Sequence, residues 1–475
     1  LNCIHGAILW AATADARHLA ADRIGSRGAM RGALRPPVPD GRGGEAVRNL
    51  LGTRIPSAER GRTMSYVPSE PDDHYILISA DCHAGGNHEQ YREYLDPQWR
   101  DAFDEWRGDY RNPFSDLGDE RKLRNWDDEL RTRQQEADGV VGEVVFPNTV
   151  PPFFPSFVLF AGPPKEKDYE QRRAGVQAHN RWMVDWCSRY PTQRAGIGQI
   201  FLNDVDDAIE DARWIAEAGL RGGVLLPNIP PDCTWVAPLH DPVYEPLWSE
   251  LEELGLPVNV HGGTGLPNYG RHPHSMVLYL TEVQFYAQRP LTHMLLSGVF
   301  ERHPRLRFVM TESGAEWLPP LLARLDSTLA TIRDTGATGE LRFPPEAVLP
   351  RSASDYVRQN LWLGVSMPGP DDLEARRVLG EGRWMWGSDY PHDEGTAQFT
   401  REGLRVMMHD MDPADVHQLV AVNAAELYGF DIDALVPIAQ RVGPTVAEIH
   451  KPLTELPEDA NDALRKAARK PSAVG

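Results

Sequence analysis

Residues 75–83, Tyr75-Ile76-Leu77-Ile78-Ser79-Ala80-Asp81-Cys82-His83, decide how the rest of the chain is read. An apolar run that stops at polar residues predicts a short buried strand. Successive side chains on a strand alternate between faces, so Asp81 and His83 project together while Cys82 projects away. An oxygen donor and a nitrogen donor aimed into one space at a strand's C-terminal end make half of a metal site. A lone D-x-H triplet is as readily a solvated turn or a helix cap. The weight therefore falls on whether other strand ends repeat the pattern.

Outward from that stretch, short apolar runs alternate with longer helical patterns up to about residue 430, the signature of βα units around a parallel sheet. The expected strands are Tyr75–Asp81, Gly142–Pro147, Ala195–Leu202, Gly222–Pro227, Pro257–His261, Leu306–Glu312, Leu361–Val365 and Arg383–Asp389. Helical patterns over Val205–Ala218, Pro242–Leu254, Val277–Val299, Pro319–Asp334 and 413–428 lie between or after them. This predicts an α/β protein, a (β/α)8 TIM barrel with loop insertions. An open doubly wound sheet is the alternative, but no G-x-G-x-x-G follows the first strand.

Active sites of such barrels are built at the C-terminal strand ends. Strand one ends in Asp81-Cys82-His83, strand five in His261-Gly262-Gly263, strand six in Thr311-Glu312-Ser313-Gly314, and strand eight in Ser388-Asp389-Tyr390-Pro391-His392. Four ligand-type endings in one chain outweigh the cap-or-turn reading of any single one. His392 is expected as an acid or a substrate ligand, or else as a loop histidine ordered by Tyr390-Pro391. After strand two, the run from Asn148 through Phe153 and Phe154 to Phe160 is rich in proline and aromatics. It is read as an apolar wall or lid in which Asn148, Phe153 and Phe154 meet substrate, or as packing on the rim or a subunit interface. The charged stretch 110–136 is expected as an insertion over the same face. His293 is expected in the core, His303 at the surface, and His272 and His274 in a solvated loop.

At these residues the chain resembles the amidohydrolase superfamily. Within it, the chain is similar to the branch, often called amidohydrolase family 2, that holds aminocarboxymuconate-semialdehyde decarboxylase and related aromatic-acid decarboxylases. The likeness runs from about Ile76 to Asp431 and adds two markers, Gly298-Val299-Phe300-Glu301-Arg302-His303-Pro304 and Asn423-Ala424-Ala425-Glu426-Leu427-Tyr428-Gly429-Phe430. It implies Asp81, His83, His261 and Asp389 as ligands, with Asp389 also shuttling protons, although the usual first-strand pair is His-x-His. The decarboxylases carry a catalytic histidine on strand six where this chain has Glu312, which is then itself a possible ligand. No strand-four lysine offers a carbamate bridge, so a single divalent ion is expected, zinc, with iron or manganese as alternatives.

The replaced histidine favours a metal-dependent hydrolase acting on an ester, thioester or amide with an apolar body. The alternative is a metal-dependent decarboxylase of an aromatic or unsaturated acid, and a third reading is a non-catalytic barrel. Either enzyme would use Asp389 and His392 to move protons.

Composition sets outer limits. The 475 residues are 41% hydrophobic and 25% charged, as ordinary globular proteins are. A net charge of −20 argues against nucleic acid. No apolar run approaches the roughly 20 residues of a membrane helix. The four cysteines show no metal or disulfide spacing, so a reducing, cytoplasmic setting is expected. The expected partners are a small-molecule substrate and, for a homodimer, a second copy of the chain. Residues 1–63 hold ten Arg, no Lys and five acidic residues, in segments such as Arg35-Pro36-Pro37-Val38-Pro39 that cannot form a core. They are read as a disordered or non-native extension before a native start at Met64, with an organellar presequence as the other reading. The barrel domain is assigned to 64–435, and 436–475 to a peripheral tail.

Overall fold

The computed structural model describes residues 66–110, 120–156, 161–366, 370–393 and 395–468. The expected N-terminal extension, residues 157–160 of the aromatic loop and residues 111–119 of the charged insertion lie outside them. Eight strands run in parallel and in sequence order: β1 (Leu77–Ala84), β2 (Val140–Pro147), β3 (Arg194–Gln199), β4 (Gly223–Leu225), β5 (Pro257–His261), β6 (Arg307–Thr311), β7 (Leu361–Ser366) and β8 (Trp384–Gly387). All eight expected strands are present. The sheet's two ends meet just beyond β8, where Asp389 N–H donates to Asp81 O at 2.8 Å and His83 N–H to Tyr390 O at 2.7 Å. The fold is a (β/α)8 barrel.

Local chemistry explains the connections. Asp204 caps the helix Val205–Glu217 by accepting from the N–H groups of Asp206 and Asp207. The helix Asp128–Asp138 starts on an Asp127 cap and stops at Gly139, whose φ of 83° suits a residue without Cβ. That stop feeds the chain directly into β2. Long helices Glu166–Ser188, Ser275–Leu296 and Leu318–Thr335 cover the outside of the barrel. Apolar side chains from both layers, including Trp182, Trp186, Trp248, Trp384 and Trp386, are fully buried between them. No helix among the described residues is long and apolar enough to cross a membrane.

Two segments differ from expectation. Within 436–475, Ile449 and Leu464 are fully buried, and Tyr75 N–H donates to Pro444 O at 2.9 Å, so this part of the expected tail packs against the barrel domain. His303 is buried rather than on the surface, with Nε2 2.8 Å from Glu245 Oε1 on a neighbouring helix. His293 is partly buried against His240, and that environment pushes it down to about 4, mainly through desolvation.

Candidate metal centre

The register of β1 against β2 slips between Ser79 and Cys82, a bulge that re-aims the side chains beyond it. Asp81 and His83 then point into the barrel mouth, while Cys82 faces Ser388 and Gln135 outside. The hydrogen bonds that close the barrel run from Asp389 to Asp81 and from Tyr390 to His83. One seam thus closes the fold and sets the first-strand and eighth-strand donors side by side. A Cβ at Gly387 would lie 2.5 Å from the Asp81 Cβ, so only glycine leaves room for that carboxylate. Ser366, the last residue of β7, donates from Oγ to Asp81 Oδ2 at 2.9 Å and leaves Oδ1 facing the mouth.

Asp81 Oδ1 lies 3.3 Å from His83 Nε2 and 3.5 Å from His261 Nε2, and His83 Nε2 lies 3.2 Å from Asp389 Oδ1. Donors about 2.1 Å from one ion stand about 3.0–3.4 Å apart, the lower figure octahedral and the upper tetrahedral. The spacing of Asp81, His83 and His261 fits a shared cation, and His83 also belongs to a second group with Asp389 and His392. Asp81 Oδ1, His83 Nε2 and His261 Nε2 are buried, and none makes a well-formed hydrogen bond, a cost that a bound ion would remove. His261 Nδ1 is 2.9 Å from Gly262 O, which can only accept, so the hydrogen sits on Nδ1 and Nε2 presents a lone pair.

Electrostatics agree. Burial pushes the Asp81 carboxyl up, but His261 and His83 outweigh it and hold the group well below the usual carboxylate range. Burial likewise raises Asp389, and the charge and hydrogen bond of His392 reverse that. His83 is pushed down by burial and raised further by Asp389 and Asp81. The depressed carboxyls mark a site where negative charge is balanced by neighbouring positive charge, a balance that a bound cation would also supply.

His392 Nδ1 is 2.7 Å from Asp389 Oδ1, and its ring lies 4.2 Å from that of His83, centroid to centroid. Its other nitrogen, Nε2, is 3.1 Å from Asn148 Oδ1. Direction along this chain of bonds is fixed at its far end. Lys122 O can only accept, so Asn125 Nδ2 donates to it at 3.0 Å, and Asn125 Oδ1 then accepts from Asn148 Nδ2 at 2.6 Å. Asn148 Oδ1 must therefore accept, and His392 carries a hydrogen on Nε2. The contact between Nδ1 and the Asp389 carboxylate then needs a second proton. Asp389 and His392 form a proton-holding pair at the edge of the donor cluster.

The other expected residues are spread around this centre. Glu312 Oε2 is 3.4 Å from His261 Nδ1, on the side of the ring away from Asp81, with a left-handed φ of 56°. Asp389 shares that conformation at 58°, a strained state that clusters at functional sites. Phe154 lines a cavity of about 990 Å³ over the ends of β3, β4 and β5. Phe153 packs instead against Trp99, Phe103 and Trp106 in the connection between β1 and β2. The cavity adjoins the donor cluster through Gly263 and Thr264, and Thr264 Oγ1 donates to His261 O at 2.8 Å. His272 also lines it. Ser366, Asn125 and Arg131, which donates from Nη1 to His83 O at 2.9 Å, were not anticipated. Only Ser366 carried a local signal, a polar residue ending an apolar strand.

A closed parallel barrel that gathers two imidazoles and two carboxylates at its C-terminal mouth defines the class of metal-binding TIM-barrel enzymes. The chain belongs to the amidohydrolase family, whose model matches residues 109–430. The gamma-resorcylate decarboxylase of Rhizobium sp. (strain MTP-10005) is 24% identical over 249 residues, 50% of this chain and 73% of that enzyme. Its counterpart in Rhodococcus jostii (strain RHA1) is 27% identical over 225 residues, 45% of this chain and 65% of that one. In fold, the chain matches 5-carboxyvanillate decarboxylase of Novosphingobium aromaticivorans DSM 12444, complexed with manganese and 4-hydroxy-3-methoxy-5-nitrobenzoic acid. The TM-score is 0.55 at 20% identity, over 78% of this chain and 100% of that one.

Proposed function

We propose that this protein is a metal-dependent decarboxylase of an aromatic or unsaturated carboxylic acid. The alternative reaction expected from the sequence thus takes precedence over hydrolysis. The observation that carries it is the Asp389–His392 pair, a proton donor held against the Asp81–His83–His261 donors through His83, beside an apolar cavity. The relatives that decarboxylate hydroxylated benzoic acids support the same direction.

Asp81, His83, His261 and Asp389 would hold the divalent ion, which supplies a fixed positive charge for the substrate carboxylate. Imidazoles with carboxylates suit manganese, zinc or iron. Phe146, whose ring contacts those of His83 and His261, gives the centre an apolar wall. As the bond from ring carbon to carboxyl carbon breaks, its electron pair stays on the ring carbon. The proton shared by His392 and Asp389 is delivered there, carbon dioxide leaves, and solvent returns a proton to the pair. General acid help of this kind contributes about 10²–10⁴-fold.

Glu312, standing where the decarboxylases carry histidine, favours a second reading in which Asp389 takes a proton from water that attacks an acyl carbonyl. The two separate by product. Manganese-loaded protein is offered carboxyl-labelled hydroxybenzoates together with esters, thioesters and lactones in oxygen-18 water. Labelled carbon dioxide with no oxygen-18 in the product is expected, whereas oxygen-18 in a released acid would replace this reading by hydrolysis.

A further inference from the structure

The walls of the large cavity are mostly apolar, with Phe154, Phe201, Trp235 and Met276 among them. One lining residue is out of character. Gln199, the last residue of β3, is 2% exposed, and neither Oε1 nor Nε2 has a hydrogen-bond partner among the described residues. An unpaired buried amide costs folding free energy, so such a group in a native protein calls for an explanation.

Its direction follows from the strand. A side chain at Gly196 would meet Met183 and Cys187, and one at Gly198 would meet Ile215, all on the outer helices. The alternate residues Ala195, Ile197 and Gln199 therefore face the barrel interior. Asn180 fixes the Gln199 backbone from both sides, accepting from Gln199 N at 2.8 Å and donating to Gln199 O at 2.9 Å, so the residue stays on the inward face of the strand. Val145 pairs with Gly196, so Ile197 is level with Phe146 beside the donor cluster. Gln199 stands two residues, about 7 Å, nearer the mouth. A benzene ring with a carboxyl group at one end and a hydroxyl at the other has that kind of length.

We infer that Gln199 is a specificity-determining residue, whose amide takes a ring hydroxyl on the part of the substrate away from its carboxyl group. This rests on the aromatic-acid reading and narrows it to hydroxylated acids. A phenolic hydroxyl both donates and accepts, so one group satisfies Oε1 and an Nε2 hydrogen together. A carboxylate would satisfy only the NH₂ and leave Oε1 facing an anion. A site built to bond a hydroxyl discriminates strongly against the analogue lacking it, because its own polar atoms are then left unpaired.

The test titrates manganese-loaded full chain calorimetrically with two pairs of probes: 4-hydroxybenzoate with benzoate, and 4-methylphenol with toluene. The hydroxylated member of each pair is expected to bind about tenfold tighter or better, and Gln199→Leu to bring the ratio within about twofold. The same substitution is expected to raise the Tm of the ligand-free protein, whereas a glutamine with a structural role would leave a less stable variant. Gln199→Met, nearly isosteric, gives the same readouts if leucine disturbs the strand. No hydroxyl preference in the unmutated protein, or a preference that survives both substitutions, overturns the inference. Should the phenol pair discriminate through Gln199 while no benzoate binds, the decarboxylation reading falls and the inference stands. Turnover and binding of 4-hydroxybenzoate that are both indifferent to Gln199 give the reverse.

Discussion

Asp389 does two things with one carboxylate, and the residues around it separate them. Its Oδ1 lies 3.2 Å from His83 Nε2, among the metal donors, and 2.7 Å from His392 Nδ1. Replacing Asp389 removes a ligand and a proton partner together, whereas replacing His392 removes only the acid. Asp389→Asn is therefore expected to lose both manganese and activity. His392→Gln should keep one metal per chain by elemental analysis while kcat falls by about 10²–10⁴-fold. A metal-free His392→Gln protein would show that His392 is itself needed to hold the ion. A second carboxylate allows a test away from the centre. Asp138, buried where it accepts from Gln398 N–H at 2.6 Å, is pushed up to about 6, mainly by desolvation, with the charge of Glu402 adding to it. A folded value above the unfolded one stabilises at low pH and loses that stability as pH rises through about 6. The shift corresponds to about 2–3 kcal/mol. Asp138→Asn, which still offers an acceptor oxygen, should flatten the urea-unfolding free energy between pH 4 and 6 and leave the variant more stable at pH 7. An unchanged pH profile would remove Asp138 from this role.

At the scale of elements, the helix Asp128–Asp138 and the strands β1 and β2 are locked by one guanidinium. Arg131 is buried, paired with Glu143 of β2, bonded to His83 O, and stacked over the Tyr390 ring at 4.7 Å. Breaking a buried pair from one side costs about 3–5 kcal/mol, because the partner charge is left behind. Arg131→Met should lower stability by about 3 kcal/mol, tempered by Arg194 and Gln135, which also contact Glu143. It should also weaken manganese binding, since His83 loses its backbone anchor. Calorimetric titration with manganese, after urea unfolding, checks both, and an unchanged affinity would confine Arg131 to the scaffold. This lock also marks the limit of sequence reading. The eight strands were legible because each apolar run is local. Asp81, His83, His261 and Asp389 were legible because barrel topology says where strand ends go. The supports were not: Ser366 reaches Asp81 across 285 positions, and Glu245 reaches His303 across 58. The split between Phe153 and Phe154 escaped for a similar reason, since the left-handed backbone at Phe153 (φ 67°) breaks the alternation that adjacent residues would otherwise follow.

Across the whole molecule, the donor cluster doubles as a closure. Asp81 and His83 come from the first strand, Asp389 from just beyond the last, and His261 from the middle of the chain. An ion held by all four would tie both ends of the sheet to its midpoint, at the place where the Asp389–Asp81 and His83–Tyr390 backbone hydrogen bonds complete the barrel. Such an ion binds the native fold alone, because the unfolded chain scatters the donors over some three hundred positions. Mass action then stabilises the fold by about 4 kcal/mol when free metal is a thousandfold above Kd. Metal-depleted protein should keep its far-ultraviolet circular dichroism, since the barrel core is apolar and independent of the site, while its Tm falls by several degrees. Adding manganese should restore the Tm in a concentration-dependent way. Asp389→Asn should respond little to added metal. If unmutated and substituted proteins instead gain the same stability from manganese, the ion is binding elsewhere on this acidic surface, and the four donors are not its seat.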